Sequence, residues 1–172
     1  YVVLRIDALS QFIEQLVDRA GHAVAWLISL MAVITFAIVL FRYGFNLGAI
    51  AVQESVLYLH AIAFMLGIPY ALKTDQHVRV DVIYGRLSAR GKARVNLLGH
   101  CLFLMPVSAS LFWLSLPYVG ASWRILEGSA EVGGLPAVFL LKSLIPAMAT
   151  LLLLQGIAEI LRCLLVLTDQ RG

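Results

Sequence analysis

The chain has 172 residues, of which 61% are hydrophobic and only 13% are charged, and its mean hydropathy is +0.90. A soluble domain of this length could not bury so much apolar surface, so its solvent must be lipid. The net charge of +3 is small, and no charge block or linker divides the chain, which predicts one membrane domain and no nucleic-acid-binding surface.

The N-terminal segment, residues 1–21, has the pattern of an amphipathic helix. Its apolar side chains recur at intervals of three and four: Leu9, Phe12, Ile13, Leu16, Val17 and Ala20. The segment carries too many charges to cross a bilayer. It is expected either at the membrane surface or in a groove of a partner protein.

Four apolar runs follow, at about residues 23–42, 54–72, 95–120 and 136–161. The second begins at Glu54 and continues for 18 residues without a formal charge, which is long enough to cross a bilayer. The third lies in a stretch of 29 uncharged residues, so we expect it to tilt, protrude or bend at Pro106 or Pro117. The sequence therefore predicts an all-α integral membrane protein with four transmembrane helices.

The basic residues give the expected orientation. Ten of the thirteen lie on one side of a four-span arrangement: Arg5, Arg19, Lys73, Arg79, Arg86, Arg90, Lys92, Arg94, Arg162 and Arg171. The positive-inside rule then places both termini in the cytoplasm, together with the central loop at residues 73–94. Within that loop, residues 78–84 are expected to form a short interfacial helix. The loop at 122–136 is expected to be periplasmic, with a tight turn at Gly133 and Gly134.

Lys142 interrupts the fourth apolar run about 9 Å from its start, as judged from the rise per residue of a helix. A lysine at this depth can extend its ammonium to the interface. It can also form a buried pair with Glu54, Glu127 or Glu131. Both arrangements are open from the sequence alone.

Other polar side chains give no catalytic pattern. His60 and His100 lie in opposite halves of their spans, which makes them poor axial ligands for one haem. Gln155, Glu159 and Arg162, at spacings of four and three, share one face of a helix. No nucleophile, phosphate loop or metal-ligand spacing is present in the sequence, so neither an enzyme nor a cofactor in this chain is expected.

Three segments resemble the small membrane subunit of tripartite ATP-independent periplasmic (TRAP) transporters, the DctQ family. They are Gln53–Glu54 with Leu66–Gly67, residues 77–81 (HVRVD), and residues 122–136 (SWRILEGSAEVGGLP) with 141–146 (LKSLIP). The resemblance covers about residues 22–162. Its last segments are similar to a branch labelled mannitol/chloroaromatic, related to 2-oxo-acid systems.

The resemblance implies an inner-membrane transporter with two further partners. A large membrane subunit would hold the substrate and sodium sites, and a periplasmic binding protein would deliver an organic acid. The small subunit would pack against the scaffold of the large one and help to dock the binding protein.

The resemblance and the topology together predict two sets of interface residues. The periplasmic set is Glu54, Trp123, Arg124, Glu127, Glu131 and Lys142. The cytoplasmic set, which would contact the large subunit or phospholipid, is His77, Arg79, Asp81, Arg86, Gln155 and Glu159. The alternatives are a haem- or quinone-associated membrane anchor of an electron-transfer complex, and a small free-standing channel.

Overall fold

The computed structural model describes residues 2–74 and 84–168. Within these ranges the chain is helical and has no strand. Helix α1 spans Val2–Phe45, α2 Ile50–Lys73, α3 Ala89–Gly99, α4 Met105–Arg124 and α5 Val138–Thr168, and a π-helical segment, His100–Leu104, joins α3 to α4. The segment at 1–21 and the first apolar run therefore belong to one helix over the residues described.

Four helical stretches are long and apolar enough to cross a membrane: Ile13–Phe45, Ile50–Lys73, Ala89–Arg124 and Val138–Thr168. The prediction of four spans in an all-α membrane protein is confirmed. The third stretch has 36 residues, since α3, the π segment and α4 are continuous.

The π segment has a local cause. Pro106 has no backbone N–H and its ring crowds the carbonyl one turn earlier, so the regular hydrogen bond from residue 106 to residue 102 cannot form. The chain widens into a π turn at His100–Leu104 instead of breaking. The bend expected at Pro106 thus takes the form of a wider helical turn.

Helix α5 is the centre of the bundle. It packs against α2, α3 and α4 and against part of α1, whereas α1 otherwise packs on α2. Its buried face carries small side chains, among them Ala149, Gly156 and Ala158, which allow close helix approach. A Cβ at Gly156 would lie 3.0 Å from Leu104 Cδ2, so the glycine fits α5 against the π segment.

The bundle has two ends, which we name by α2. The end with Glu54 also holds the loop at residues 125–137, and it is the Glu54 end. The other, the Lys73 end, holds the first turns of α1 and the last turns of α5, because residues of these helices pair with one another there.

Candidate interaction sites at the two ends of the bundle

The loop at residues 125–137 is fastened to α2 by one carboxylate. Ser129 Oγ donates a hydrogen bond to Glu54 Oε1, and the backbone N–H of Leu135 donates to Glu54 Oε2 over 2.6 Å. The loop also closes on itself, since the Ser129 N–H donates to the Leu135 carbonyl over 3.0 Å. Hydrogen bonds to an ionised acceptor are stronger than hydrogen bonds between neutral groups. Glu54 therefore holds the loop at two points, Ser129 and Leu135. We call this group of three residues the Glu54 anchor.

Gly134 leaves the room that the Glu54 anchor occupies. A Cβ at this position would lie 2.4 Å from Ser129 Oγ and 2.7 Å from Glu54 Oε2. Its neighbour Gly133 has a φ of +81°, a conformation that other residues rarely adopt. Both glycines of the expected tight turn are therefore required, the first for its backbone conformation and the second for space.

A salt bridge holds the other part of the loop to α5. Lys142 Nζ lies 2.5 Å from Glu127 Oε2 and 4.2 Å from the centroid of the Tyr118 ring. The hydrogen bond from Lys142 is the main cause that holds the pKa of the Glu127 carboxyl below its ordinary value. Of the arrangements open from the sequence, the structure has Lys142 paired with Glu127. Glu54 is engaged elsewhere.

Trp123, in the last turn of α4, contacts α5. Its indole N–H donates to Ser143 Oγ over 2.8 Å, and its ring meets that of Phe139 edge to face, with centroids 4.7 Å apart. Because α4 ends at Arg124, the residues that follow do not continue its helical face. Arg124 and Glu131 are exposed, and Glu127 turns to α5. Arg124, Glu127 and Glu131 therefore do not share one side of a helix.

The loop also displays apolar side chains that sequence reasoning missed. Ile125 is 73% exposed, Leu126 63% and Val132 91%. Leu126 has a φ of +46°, which is uncommon for a leucine and is held by a loop fixed on both sides. The only sequence signal was two apolar residues directly after Arg124.

At the Lys73 end, an ion pair and a hydrogen bond connect α1 to α2. Lys73 Nζ lies 2.5 Å from Asp18 Oδ2 and donates to the backbone carbonyl of Glu14 over 3.2 Å. Lys73 is mostly buried, so its charge is balanced within the bundle. This pair could not be predicted from the sequence, because its members lie in different spans.

A second group at this end connects α1 to α5. Arg162 pairs with Glu14 of α1 and, over 3.1 Å, with Glu159 Oε1 of its own helix. Gln155 Nε2 donates to the same Glu159 oxygen over 2.9 Å. Gln155 is fully buried, and its Oε1 has no hydrogen-bond partner among the described residues. The predicted common face of Gln155, Glu159 and Arg162 is confirmed.

A comparison with known families places the chain. The family model described as "Tripartite ATP-independent periplasmic transporters, DctQ component" matches residues 31–166. The chain belongs to the DctQ family. The matched family is a component of TRAP transporters, and this match gives no support to the haem- or quinone-associated alternative.

One curated relative comes from Haemophilus influenzae and bears the provisional name of a TRAP transporter small permease protein. It is 32% identical to this DctQ chain over 79 residues, which cover 46% of the chain and 49% of the relative. The chain thus spans about half the length of the curated relative that it matches. No solved structure matches the chain. Neither finding carries the mannitol/chloroaromatic or 2-oxo-acid label.

The remaining predicted site residues of the DctQ chain lie near the central loop. His77, Arg79 and Asp81, with most of the expected interfacial helix, fall outside the described residues. Arg86 is exposed in the turn before α3. Among the residues described, no three His, Cys, Asp or Glu side chains are grouped so that they could hold a metal ion. The absence of a cofactor stays a prediction.

Proposed function

We propose that this DctQ subunit supports sodium-coupled uptake of an organic acid without binding the substrate itself. It packs against the scaffold of a large membrane subunit and offers a docking surface to a periplasmic binding protein. The observation that carries the proposal is the loop at residues 125–137, which is fixed to two helices and still exposes charged and apolar side chains at one end of the bundle. Such a preformed surface binds a partner without the cost of ordering a loop.

The distribution of polar groups favours a supporting role over transport. In the part of the chain that the structure describes, the ion pairs lie at the two ends of the bundle. Transport sites lie near the middle of the membrane, where broken helices point their ends at substrate and ions. The π segment widens its helix without interrupting it, so it offers no such pair of free ends. Substrate and sodium sites are therefore proposed for the large subunit.

The orientation follows from charge. The Lys73 end adjoins the central loop, which carries six of the thirteen basic residues. We assign this end, with both termini, to the cytoplasm and the Glu54 end to the periplasm of a bacterial inner membrane. On this assignment the loop at residues 125–137 faces the compartment of the binding protein.

The two ends then have different partners. On the periplasmic side, Arg124, Glu131 and Trp123 are exposed to the binding protein, while Glu54, Glu127 and Lys142 hold the surface in place. At the cytoplasmic end, Arg86 and the segment at residues 77–81 are proposed to contact phospholipid headgroups or the large subunit. The substrate is proposed only as an organic acid.

Reconstitution tests this function. Proteoliposomes would contain the large subunit with or without this chain, and purified binding protein would deliver radiolabelled organic acids under a sodium gradient. We expect uptake only when both membrane subunits are present, and none from this chain alone. Sodium-driven uptake by this chain alone would refute the proposal, as would equal uptake by the large subunit without it.

A further inference from the structure

A groove runs along the membrane-facing side of the bundle between α1 and α2. Its volume is about 450 Å³, and its lining includes Met31 of α1 and Ala63, Phe64, Gly67 and Ala71 of α2. Three of these are small residues at intervals of four, so they form one face of α2. A face of small side chains leaves a channel wide enough to admit side chains of a neighbouring helix. We call it the α1–α2 groove.

One polar side chain lines this apolar groove, and it is His60. Its ring is exposed and stacks on Phe64, with centroids 6.3 Å apart. Among the described residues no hydrogen bond to the His60 ring is found. The imidazole therefore faces the surroundings of the protein with both nitrogens unsatisfied by the bundle.

The depth of His60 makes this arrangement costly in lipid. The rise of a helix puts Glu54 and Lys73 about 29 Å apart, which matches the hydrocarbon thickness of a bilayer. By the same measure His60 lies about 9 Å inward of Glu54 and about 20 Å from Lys73. A histidine side chain is too short to reach either interface from there. An imidazole at this depth requires a polar partner.

Two kinds of occupant can cover such a groove, and they differ in what they offer His60. A lipid acyl chain matches the apolar wall but provides no hydrogen-bonding group. A transmembrane helix matches the wall as well, and a serine, threonine, asparagine or similar side chain on it can bond across the interface. In the part of the chain that the structure describes, no residue in the most apolar window of α1 is buried, so this helix leaves surface for a partner.

We propose that the α1–α2 groove is where a transmembrane helix of the large subunit docks, with a hydrogen-bonding side chain opposite His60. The identity of that partner rests on the proposed function. The position of the contact rests on the groove and on His60. It names α1 and α2 as the spans that face the large subunit.

Two substitutions at His60 separate the possible occupants. Both would be made in the full complex, with the amount of co-purified large subunit as the measurement. His60→Leu introduces an apolar side chain of similar bulk and removes the hydrogen bond. We expect it to lower that amount about threefold, the size of effect that one interhelical hydrogen bond has in a membrane. His60→Asn, which keeps a donor and an acceptor, should retain more large subunit than His60→Leu. A lipid chain in the groove predicts the opposite order, because leucine suits it better, and an unchanged amount with His60→Leu would overturn the proposal.

Cross-linking gives a second, independent measurement. The photoreactive residue p-benzoylphenylalanine would replace Phe64, which is 62% exposed in the groove, and in a matched sample Leu114, which is 77% exposed on α4. We expect a covalent product with the mass of both subunits at position 64, at least about threefold more abundant than at position 114. Products at position 64 that contain only lipid, or equal protein products at both positions, would overturn the docking site. If the unaltered chain does not co-purify with a large subunit at all, the proposed function fails instead.

Discussion

Replacing Gly134 with alanine tests whether the Glu54 anchor holds the loop at residues 125–137. The added methyl group would lie 2.4 Å from Ser129 Oγ and 2.7 Å from Glu54 Oε2, whereas ordinary contacts begin at 3.4 Å. Either the hydroxyl must retreat by about 1 Å or the loop must move away from α2, as overpacked sites do. A movement of that size breaks the hydrogen bond from the Leu135 N–H to Glu54, now 2.6 Å long.

The expected magnitude follows from known overpacking effects. Forcing a methyl group into a filled site costs about 1–3 kcal/mol, and alanine returns up to about 1 kcal/mol by restricting the unfolded chain. A net cost of about 1.4 kcal/mol lowers the ratio of closed to open anchor about tenfold, so the open state becomes about ten times more populated. Amide hydrogen exchange reports this directly, because the Leu135 N–H exchanges only when its bond to Glu54 opens. We expect a peptide covering residues 129–137 to exchange about tenfold faster in Gly134→Ala.

Gly48→Ala is the matched control. Gly48 also lies in a loop at the Glu54 end, and a Cβ there would meet nothing within 4 Å. This variant should leave exchange at Leu135 unchanged. Equal exchange in Gly134→Ala and the unaltered chain would refute the reasoning, because the anchor would then tolerate the overlap.

Three further predictions concern the same end of the bundle. Lys142→Met should lower the yield of folded chain, because it leaves Glu127 without its cation, and the charge swap Lys142→Glu with Glu127→Lys should restore part of that yield; no rescue would show that the pair is replaceable. The Glu127–Lys142 pair should contribute fully to the stability of the fold above pH 4.5, the ordinary pKa of a glutamate carboxyl. This contribution should be lost as the pH falls through the lower pKa of folded Glu127, which thermal unfolding at a series of pH values would measure. Glu127→Gln should remove this loss of stability in acid. Glu131→Lys should slow binding-protein-dependent uptake, more at low ionic strength, without changing the amount of complex on immunoblots; an effect that salt leaves constant would argue against a role in encounter.

The number and rough position of the spans could be predicted because they depend on run length and composition. The face shared by Gln155, Glu159 and Arg162 was predictable for a similar reason, since spacings of three and four fix it within one helix. Lys142 was an intermediate case. Its depth required a carboxylate or an interface, but the sequence offered three carboxylates and no means to choose among them.

What could not be predicted depends on contacts between distant parts of the chain. Glu54 and Ser129 lie 75 positions apart, and Lys73 bonds to Glu14 across 59. In each pair, the sequence around one residue does not indicate which distant residue it will contact. Glu14 and Asp18 made the first segment look too polar to join a span, yet each is paired with a cation from another helix. Charge pattern alone does not reveal such compensation.

The central position of α5 has a consequence for biogenesis. It follows the other described helices in the chain, so α1, α2 and α4 enter the membrane before the element against which they pack exists. Until α5 is inserted, Glu14 lacks Arg162 and Glu127 lacks Lys142. Helices that insert independently associate in a second stage, and here that stage must wait for about 45 more residues after Arg124 has been synthesised. Nascent chains that stop within α5 should therefore remain unassembled and open to membrane proteases, whereas insertion of the whole of α5 should bring the four spans together in one cooperative step.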